Sequence, residues 1–375
     1  MTLEIVPYEA THIPAVQAFN ARLHAAGVTV AFGMRSLLRE TNVGSARVPG
    51  AGIHEELFLA VDGQGVHGGY TLKHQEFMIN DVVTSIGFFQ QALSEGTIDK
   101  RFALIGPRLL RHALGGQPLI YGLGIGGYDH AIARLLKGAR FQFATVPFHF
   151  RVEHPARFLR QVGPLRTSKS RRIAADVAAA SGLGALGIRG LQRYRAGLTR
   201  QRTRVVVNEV SSFEGCADSV WGAARGTFAF GAVRDGALLA QLYDSKGSPF
   251  LRVAIEDEGR PCGWAVCLAT QRSDDKYFGD LKLGSIVDLL AVPGYEAALV
   301  KAAVDRLQHQ GVDLIVTNQT FRPLGAALKR NGFLSGPSNF LFAASPSLAE
   351  RLGPLGSNLT RFYLNRGDGD GPVNL

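Results

Sequence analysis

One order of strand and helix patterns occurs twice along the chain, and this repeat restricts the fold more than any other feature. Each occurrence runs strand, helix, hairpin, strand, helix, strand, helix, strand. At 375 residues the chain is too long for one ordinary hydrophobic core. We therefore predict a mixed α/β protein with two modules, each a twisted sheet flanked by helices. The predicted divisions are module 1 at 1–155, a basic, partly helical linker at 156–203, module 2 at 204–348, and a C-terminal strand and flexible tail at 349–375.

The elements are predicted from apolar periodicity and from turn residues. In the first half, strand patterns cover residues 3–6, 57–61, 66–72, 86–89, 119–123 and 145–152. In the second half, they cover residues 250–255, 262–270, 286–292, 312–316 and 340–342. The dipeptide Gly106-Pro107 predicts a helix start, because the missing N–H of proline costs nothing at the first helical position.

Composition excludes several classes of protein. Apolar residues make up 46% and charged residues 19% of the chain, which is typical of a folded globular protein. The three cysteines contain no C-x-x-C pair, so we expect a reducing compartment and neither a disulfide framework nor a zinc site. We see neither a signal peptide pattern nor an apolar run long enough to span a bilayer, and we expect a cytoplasmic protein.

The positive charge is concentrated in one segment. Residues 151–204 contain 13 of the 41 lysines and arginines and only two acidic residues, so the rest of the chain is close to neutral. We do not expect nucleic acid as a partner, because this segment has few aromatic residues and no groove-reading motif. For residues 170–204, two interpretations stay open: peripheral contact with an anionic membrane, or a helical hairpin packed between the modules.

The strand-loop-helix unit around Gly106 resembles the GNAT acyltransferase superfamily. In that family an R-G-x-G-x-G/A loop and the following helix start hold the coenzyme A pyrophosphate with backbone N–H groups. Residues 101–110 match the pattern at Arg101 and Gly106 but replace its two inner glycines with Phe102 and Leu104. In the second half, residues 288–293 resemble the corresponding strand and its exit, and Gly294 is the one glycine left of the loop.

The resemblance implies an acyl-CoA co-substrate such as acetyl-CoA. The residues that it places at the cofactor are Arg101, Ile105, Gly106, Arg108 and Gly294. The tyrosine that usually protonates the departing thiolate is absent, because its position in the second half holds Leu328.

Two carboxylates are candidate general bases for removing a proton from an attacking amine. Asp288 lies within a predicted internal strand, and Glu95 is its analogue in the first half. A paired structural carboxylate is the alternative for Asp288, and a turn acid is the alternative for Glu95. We expect no metal site, because no H-x-H or H-E-x-x-H spacing joins the histidines.

The predicted function is transfer of an acyl group from acyl-CoA to an amine. Residues 68–75 and 146–152 resemble proteins of bacterial exopolysaccharide and cell-envelope loci, which implies an amino sugar or a glycan-linked amine as acceptor. Two alternatives stay open. One is a Fem-type transferase that uses aminoacyl-tRNA, and the other is a non-catalytic scaffold that binds a glycan or a partner enzyme.

Overall fold

The structure is a computed structural model that describes residues 3–28, 52–197, 205–243 and 248–369. The strands of these residues, in chain order, are β1 (Glu4–Pro7), β2 (Ile53–Asp62), β3 (Gly65–Ile79), β4 (Val82–Ser94), β5 (Ile120–Leu123), β6 (Gln142–Thr145), β7 (Phe148–Val152), β8 (Val206–Glu209), β9 (Phe230–Ala232), β10 (Leu251–Asp257), β11 (Arg260–Gln271), β12 (Lys282–Ala291), β13 (Leu314–Asn318), β14 (Leu334–Gly336), β15 (Leu341–Ala344) and β16 (Phe362–Tyr363).

The helices surround the sheets and join their strands. In chain order they are α1 (Ile13–Ala25), α2 (Ile105–Gly116), α3 (Ala131–Gly138), α4 (Pro155–Gln161), α5 (Lys169–Ala180), α6 (Leu183–Gly197), α7 (Ala217–Ala224), α8 (Gly236–Tyr243), α9 (Glu296–His309), α10 (Arg322–Arg330), α11 (Pro346–Leu352) and α12 (Leu355–Asn358). The predicted helix at Gly106-Pro107 is α2, and three helices, α4 to α6, lie between β7 and β8.

The strands form two mixed sheets. The first has the order β1-β2-β3-β4-β5-β15-β6, with β9 paired to the end of β3 and β16 paired to β9. The second has the order β14-β7-β13-β12-β11-β10-β8. The predicted α/β class, with two mixed sheets flanked by helices, is therefore confirmed.

Each sheet buries apolar side chains against helices. On one face of the first sheet, Leu72, Phe89 and Ile120 pack against Leu109 of α2. In the second sheet, the largest buried cluster joins β10 to β12 with α7, α9 and α10. Burial of this apolar surface is the main contribution that stabilises each sheet.

The two halves exchange strands. The sequence predicted one strand over residues 145–152, and that prediction was wrong. The strand is interrupted at Val146-Pro147, because proline has no N–H to donate to a strand ladder. The chain leaves the first sheet after β6 and enters the second sheet as β7. In return, β15 enters the first sheet between β5 and β6, where Phe342 is paired with both Leu123 and Ala144. The first sheet therefore contains β9 and β15 from the second half, and the second sheet contains β7 from the first half. The predicted division at residue 155 stays a prediction.

Candidate functional site

In each sheet, a pair of neighbouring parallel strands separates part-way along its length. In the first sheet, β4 and β5 pair only at Gly87–Ile120 and Phe88–Tyr121. In the second, the β12–β13 ladder ends at Ser285–Val316. Beyond these pairs, no ladder joins the two strands within the described residues, although β4 and β12 each run several residues further. Such a gap exposes backbone N–H and C=O groups, which require another partner.

The gap in the second sheet is filled by the chain itself. The C-terminal segment Phe362–Asp368 lies between the two strands and bonds to both sides. On the β12 side, Asn365 Nδ2 donates to Asp288 Oδ1 over 2.6 Å. On the β13 side, the amide of Thr320 donates to the carbonyl of Leu364 over 3.1 Å. This gap is therefore occupied by protein.

Asp288 is buried at the centre of that filling. Its carboxylate accepts from Arg234 Nε at 3.0 Å and from the Tyr243 hydroxyl at 3.0 Å, in addition to Asn365. Arg234 also donates to both carboxylate oxygens of Asp368, at 2.8 and 2.9 Å. Burial raises the pKa of Tyr243 well above its usual value, and the negative charge of Asp288 adds to this. Both oxygens of Asp288 are already occupied by donors, an arrangement that favours the structural alternative stated for it.

Glu95 also lies in an ion cluster. Its two oxygens contact Arg22 Nε and His67 Nδ1, the latter at 2.5 Å, and His67 Nε2 lies 2.9 Å from Asp62 Oδ1. The pKa of Asp62 is lowered, chiefly by the backbone N–H of Gln64 and then by His67. Glu95 is therefore buried in an ionic contact between α1 and the β2–β3 hairpin rather than exposed on a turn.

The predicted pyrophosphate residues surround the start of α2. The helix begins at Ile105, whose side chain is buried in the core, whereas Arg108 is exposed. Gly106 faces Leu135 of α3 at a distance that would give an added Cβ ordinary van der Waals contact, 3.7 Å. The Arg101 side chain is exposed and pairs with Asp99, with Nη2 and Oδ2 2.6 Å apart. The first-turn amides of α2 have no acceptor within the helix and point out of its N-terminus.

Gly294 has a different environment. It adopts a φ of +94° in the turn between β12 and α9, a conformation that favours glycine. Its amide donates to Glu296 Oε2 over 2.9 Å, so a carboxylate of the chain already occupies the donor that a phosphate would need. The structure thus brings Arg101, Ile105, Gly106 and Arg108 together and places Gly294 in a turn that follows β12 of the second sheet.

One face of the first sheet carries a buried polar group of residues that the sequence analysis did not find. We call it the polar face; its members are Glu55, Thr71, Lys73, Gln75 and Gln90. Glu55 lies opposite Lys73 in the β2–β3 ladder, and Thr71 lies opposite Gln90 in the β3–β4 ladder. Gln90 Nε2 donates to Glu55 Oε1 over 3.0 Å.

In the described part of the chain, Thr71 and Gln75 of the polar face each have a side-chain atom without a hydrogen-bond partner. Among the described residues, neither Thr71 Oγ1 nor Gln75 Oε1 has a hydrogen bond, although both are buried. Buried polar atoms nearly always have partners, so an unpartnered pair suggests a surface that binds something. A signal was present in the sequence, because residues 71, 73 and 75 are all polar and their spacing of two places them on one face of a strand.

The polar face adjoins the gap between β4 and β5. The β3–β4 register shifts between Gly69 and Thr71, and Gln91 takes a φ of +50° there. Such a β-bulge leaves a backbone group out of the ladder and bends the strand. The bulge, the gap and the polar face therefore meet along β4, next to a carboxylate, an ammonium group and a hydroxyl group.

On the opposite face of β2 and β3, three side chains form a grouping that could hold a metal ion. The members are His54, Glu56 and His74, whose ligand atoms all lie within 4.8 Å of one another. His74 Nε2 is 2.7 Å from Glu56 Oε2, and the two imidazole rings stack at 4.5 Å. The spacing of histidines along the sequence does not reveal this group, because its members come from two paired strands, β2 and β3. Two histidines and one carboxylate are ligands that suit zinc.

The described fold resembles that of solved structures with which the chain shares little sequence identity. No protein-family model and no curated protein matches the chain. Two similar solved structures are an Enterococcus faecalis V583 protein of unknown function described as a probable N-acyltransferase, and Saccharomyces cerevisiae N-myristoyltransferase with bound myristoyl-CoA. The first has a TM-score of 0.52 at 8% identity, covering 92% of this chain and 72% of the other. The second has a TM-score of 0.50 at 7% identity, covering 91% and 82%. The chain has a GNAT-like fold. At these identities the similarity establishes the fold alone.

Proposed function

We propose that the protein is a tandem GNAT-like N-acyltransferase, and that it transfers an acyl group from acyl-CoA to an amine at the gap between β4 and β5. One observation carries the proposal: the corresponding gap in the second sheet is filled by the segment Phe362–Asp368, whereas the first gap adjoins the polar face. The structural similarity to proteins described as acyltransferases supports the reaction class.

The acyl-CoA donor contacts the first half of the protein at two places. The thioester lies in the gap, where separated strands leave backbone donors unpaired, and the pyrophosphate lies at the start of α2. There the amides of Ile105 and Gly106 and the exposed Arg108 side chain meet the phosphates. Pro107 supplies no N–H, and Arg101 is already paired with Asp99, so fewer donors act here than in an intact R-G-x-G-x-G loop.

The chemistry requires a base, an acid and an oxyanion donor. Glu55 accepts the proton of the amine, whose nitrogen attacks the thioester carbon. A backbone N–H of the bulge at Gln91 stabilises the negative oxygen of the tetrahedral intermediate. The C–S bond then breaks, and Lys73 protonates the departing thiolate in place of the missing tyrosine.

The acceptor class follows from the donors and acceptors of the polar face. Thr71, Gln75 and Gln90 offer one hydroxyl and two amides, groups that can both donate hydrogen bonds to sugar hydroxyls and accept hydrogen bonds from them. An amino sugar presents such hydroxyls next to an amine. This agrees with the acceptor that the sequence resemblance implies.

The experiment combines binding with kinetics. Acetyl-CoA and free CoA should raise the unfolding temperature of the full chain, because a ligand that binds only the folded state stabilises it. Glu55→Gln should lower kcat on an amino sugar about a hundredfold or more, the usual contribution of a general base. Glu76→Gln, at an exposed position of the same hairpin, is the matched control and should leave kcat unchanged.

Other outcomes would contradict the proposal. If neither CoA species shifts the unfolding temperature, the acyl-CoA donor is wrong. Activity that needs charged tRNA and disappears after ribonuclease treatment would identify the Fem-type alternative. Glycan binding without turnover of any donor would identify the scaffold.

A further inference from the structure

Helices α5 and α6 expose large apolar side chains. Of the sixteen exposed large apolar residues in the described part of the chain, seven fall between Leu165 and Tyr194. The most exposed are Ile173 at 65%, Val177 at 61%, Leu183 at 71%, Leu186 at 70% and Tyr194 at 68%. Single exposed apolar residues are ordinary, but a concentration of them on neighbouring helices marks an interaction surface.

The exposed residues form defined helical faces. On α5, Ala175 and Ala179 are buried, and Ile173 and Val177 share the opposite side, four residues apart.

Helix α6 is arranged in the same way. Ile188 packs against the core, and Leu183, Leu186 and Tyr194 lie on the opposite side. Since α5 and α6 pack on each other and on α4, the exposed faces belong to one helical cluster.

Basic residues accompany these faces. The exposed ones are Lys169, Arg171, Arg172, Arg189 and Arg193. Asp176 is the one acidic residue between 165 and 197, and its Oδ1 already accepts from Arg166 Nη1 at 2.6 Å. The surface therefore combines exposed leucines with cationic charge that has almost no acidic counterpart.

We propose that the α5–α6 surface binds peripherally to a bilayer that contains anionic phospholipids. An amphipathic helix of this kind lies in the membrane interface, with leucine and tyrosine side chains at the acyl boundary and arginines at the headgroups. Among the described residues, no helix is long and apolar enough to cross a membrane. An interior helical hairpin would not leave five large apolar side chains exposed. The sequence-based expectation covered residues 170–204, of which 198–204 lie outside the described residues.

The inference stands on exposure and charge and does not depend on the acyl-transfer proposal. Its test uses the full chain and sedimentation with two kinds of vesicle, pure phosphatidylcholine and a mixture of phosphatidylcholine with phosphatidylglycerol. Binding to the mixed vesicles, and its weakening as salt is added, are the expected results. The double variant R189Q/R193Q should lower partitioning roughly thirtyfold, since each basic residue near an anionic surface contributes about a fivefold change.

A second pair of variants tests the apolar contribution. L183S/L186S should lower partitioning by more than about tenfold, because two exposed leucines no longer enter the interface. V82S/V83S removes two exposed valines at the start of β4 and should change nothing. Unfolding temperatures close to wild type would confirm that all three variants fold.

Three results would overturn the inference. The first is absence of binding to mixed vesicles. The second is equal binding to both vesicle types, unaffected by either pair of substitutions in α6. The third is a dimer in solution that L183S/L186S dissociates, which would assign the surface to a second copy of the chain.

Discussion

Arg234 supplies the positive charge that permits two carboxylates to be buried between the sheets. Its guanidinium contacts Asp288 and Asp368 and is almost completely buried. Arg234→Met keeps much of the side-chain volume and removes the cation. Removing one partner of a buried ion pair costs about 3–5 kcal/mol, because the remaining charge has lost its compensation. If the 375 residues unfold as one unit, this lowers Tm by about 4–6 °C.

The pH dependence of this loss provides a second measurement. Burial already raises the pKa of Asp368 from 3.8, and Arg234 opposes that rise. Without Arg234, the native state takes up a proton that the unfolded state binds only near pH 4. The free energy of unfolding of the variant should therefore fall as pH rises, and its deficit relative to wild type should be larger at pH 8 than at pH 5.

Calorimetry and urea unfolding at both pH values are the assays. The triple variant R234M/D288N/D368N removes all three charges and should recover most of the lost stability, since two uncharged amides replace the stranded carboxylates. A deficit for R234M below about 1 kcal/mol, the same deficit at both pH values, or no recovery in the triple variant would refute the reasoning.

Three further predictions concern other buried groups. Burial lowers the pKa of His149 to about 4, so the free energy of unfolding should fall by up to about 3 kcal/mol as pH drops from 6.5 to 4. The fall should be smaller in His149→Phe, and urea unfolding across this pH range measures the difference. Burial raises the thiol pKa of Cys262 to about 11 and that of Cys267 to about 12, so iodoacetamide at pH 8 should alkylate them only after unfolding, as mass spectrometry would show. In Gly68→Ala the new Cβ would lie 2.8 Å from an α2 side chain and 2.9 Å from a β4 carbonyl oxygen, which should destabilise the protein by about 1–3 kcal/mol. In Gly115→Ala the new Cβ meets nothing within 4 Å, so this variant should not destabilise the protein. Thermal unfolding of the two variants tests the difference.

The local elements could be predicted because their causes are local. A hairpin was expected at residues 57–72 from alternating apolar residues around a glycine-containing turn, and β2 and β3 form it. The start of α2 at Ile105 follows from Gly106-Pro107, and the positive charge of residues 151–204 is a property of composition alone. The apolar and basic residues of α5 and α6 were also visible, although their exposure was not.

Pairing between distant segments determined the rest. The strand propensity of β15 is the same whether it joins the second sheet or the first. Which sheet it joins depends on β5 and β6, which lie about 200 residues away along the chain. For the same reason the sequence left two interpretations of Asp288 open, a catalytic base or a paired structural carboxylate, because Arg234 and residues 362–368 lie beside it only in the fold. The sequence by itself determined many of the local elements, the α/β class and the location of the charge. Only the tertiary structure decided which gap between parallel strands the chain fills and which one adjoins the polar face, because both depend on contacts that no local pattern records.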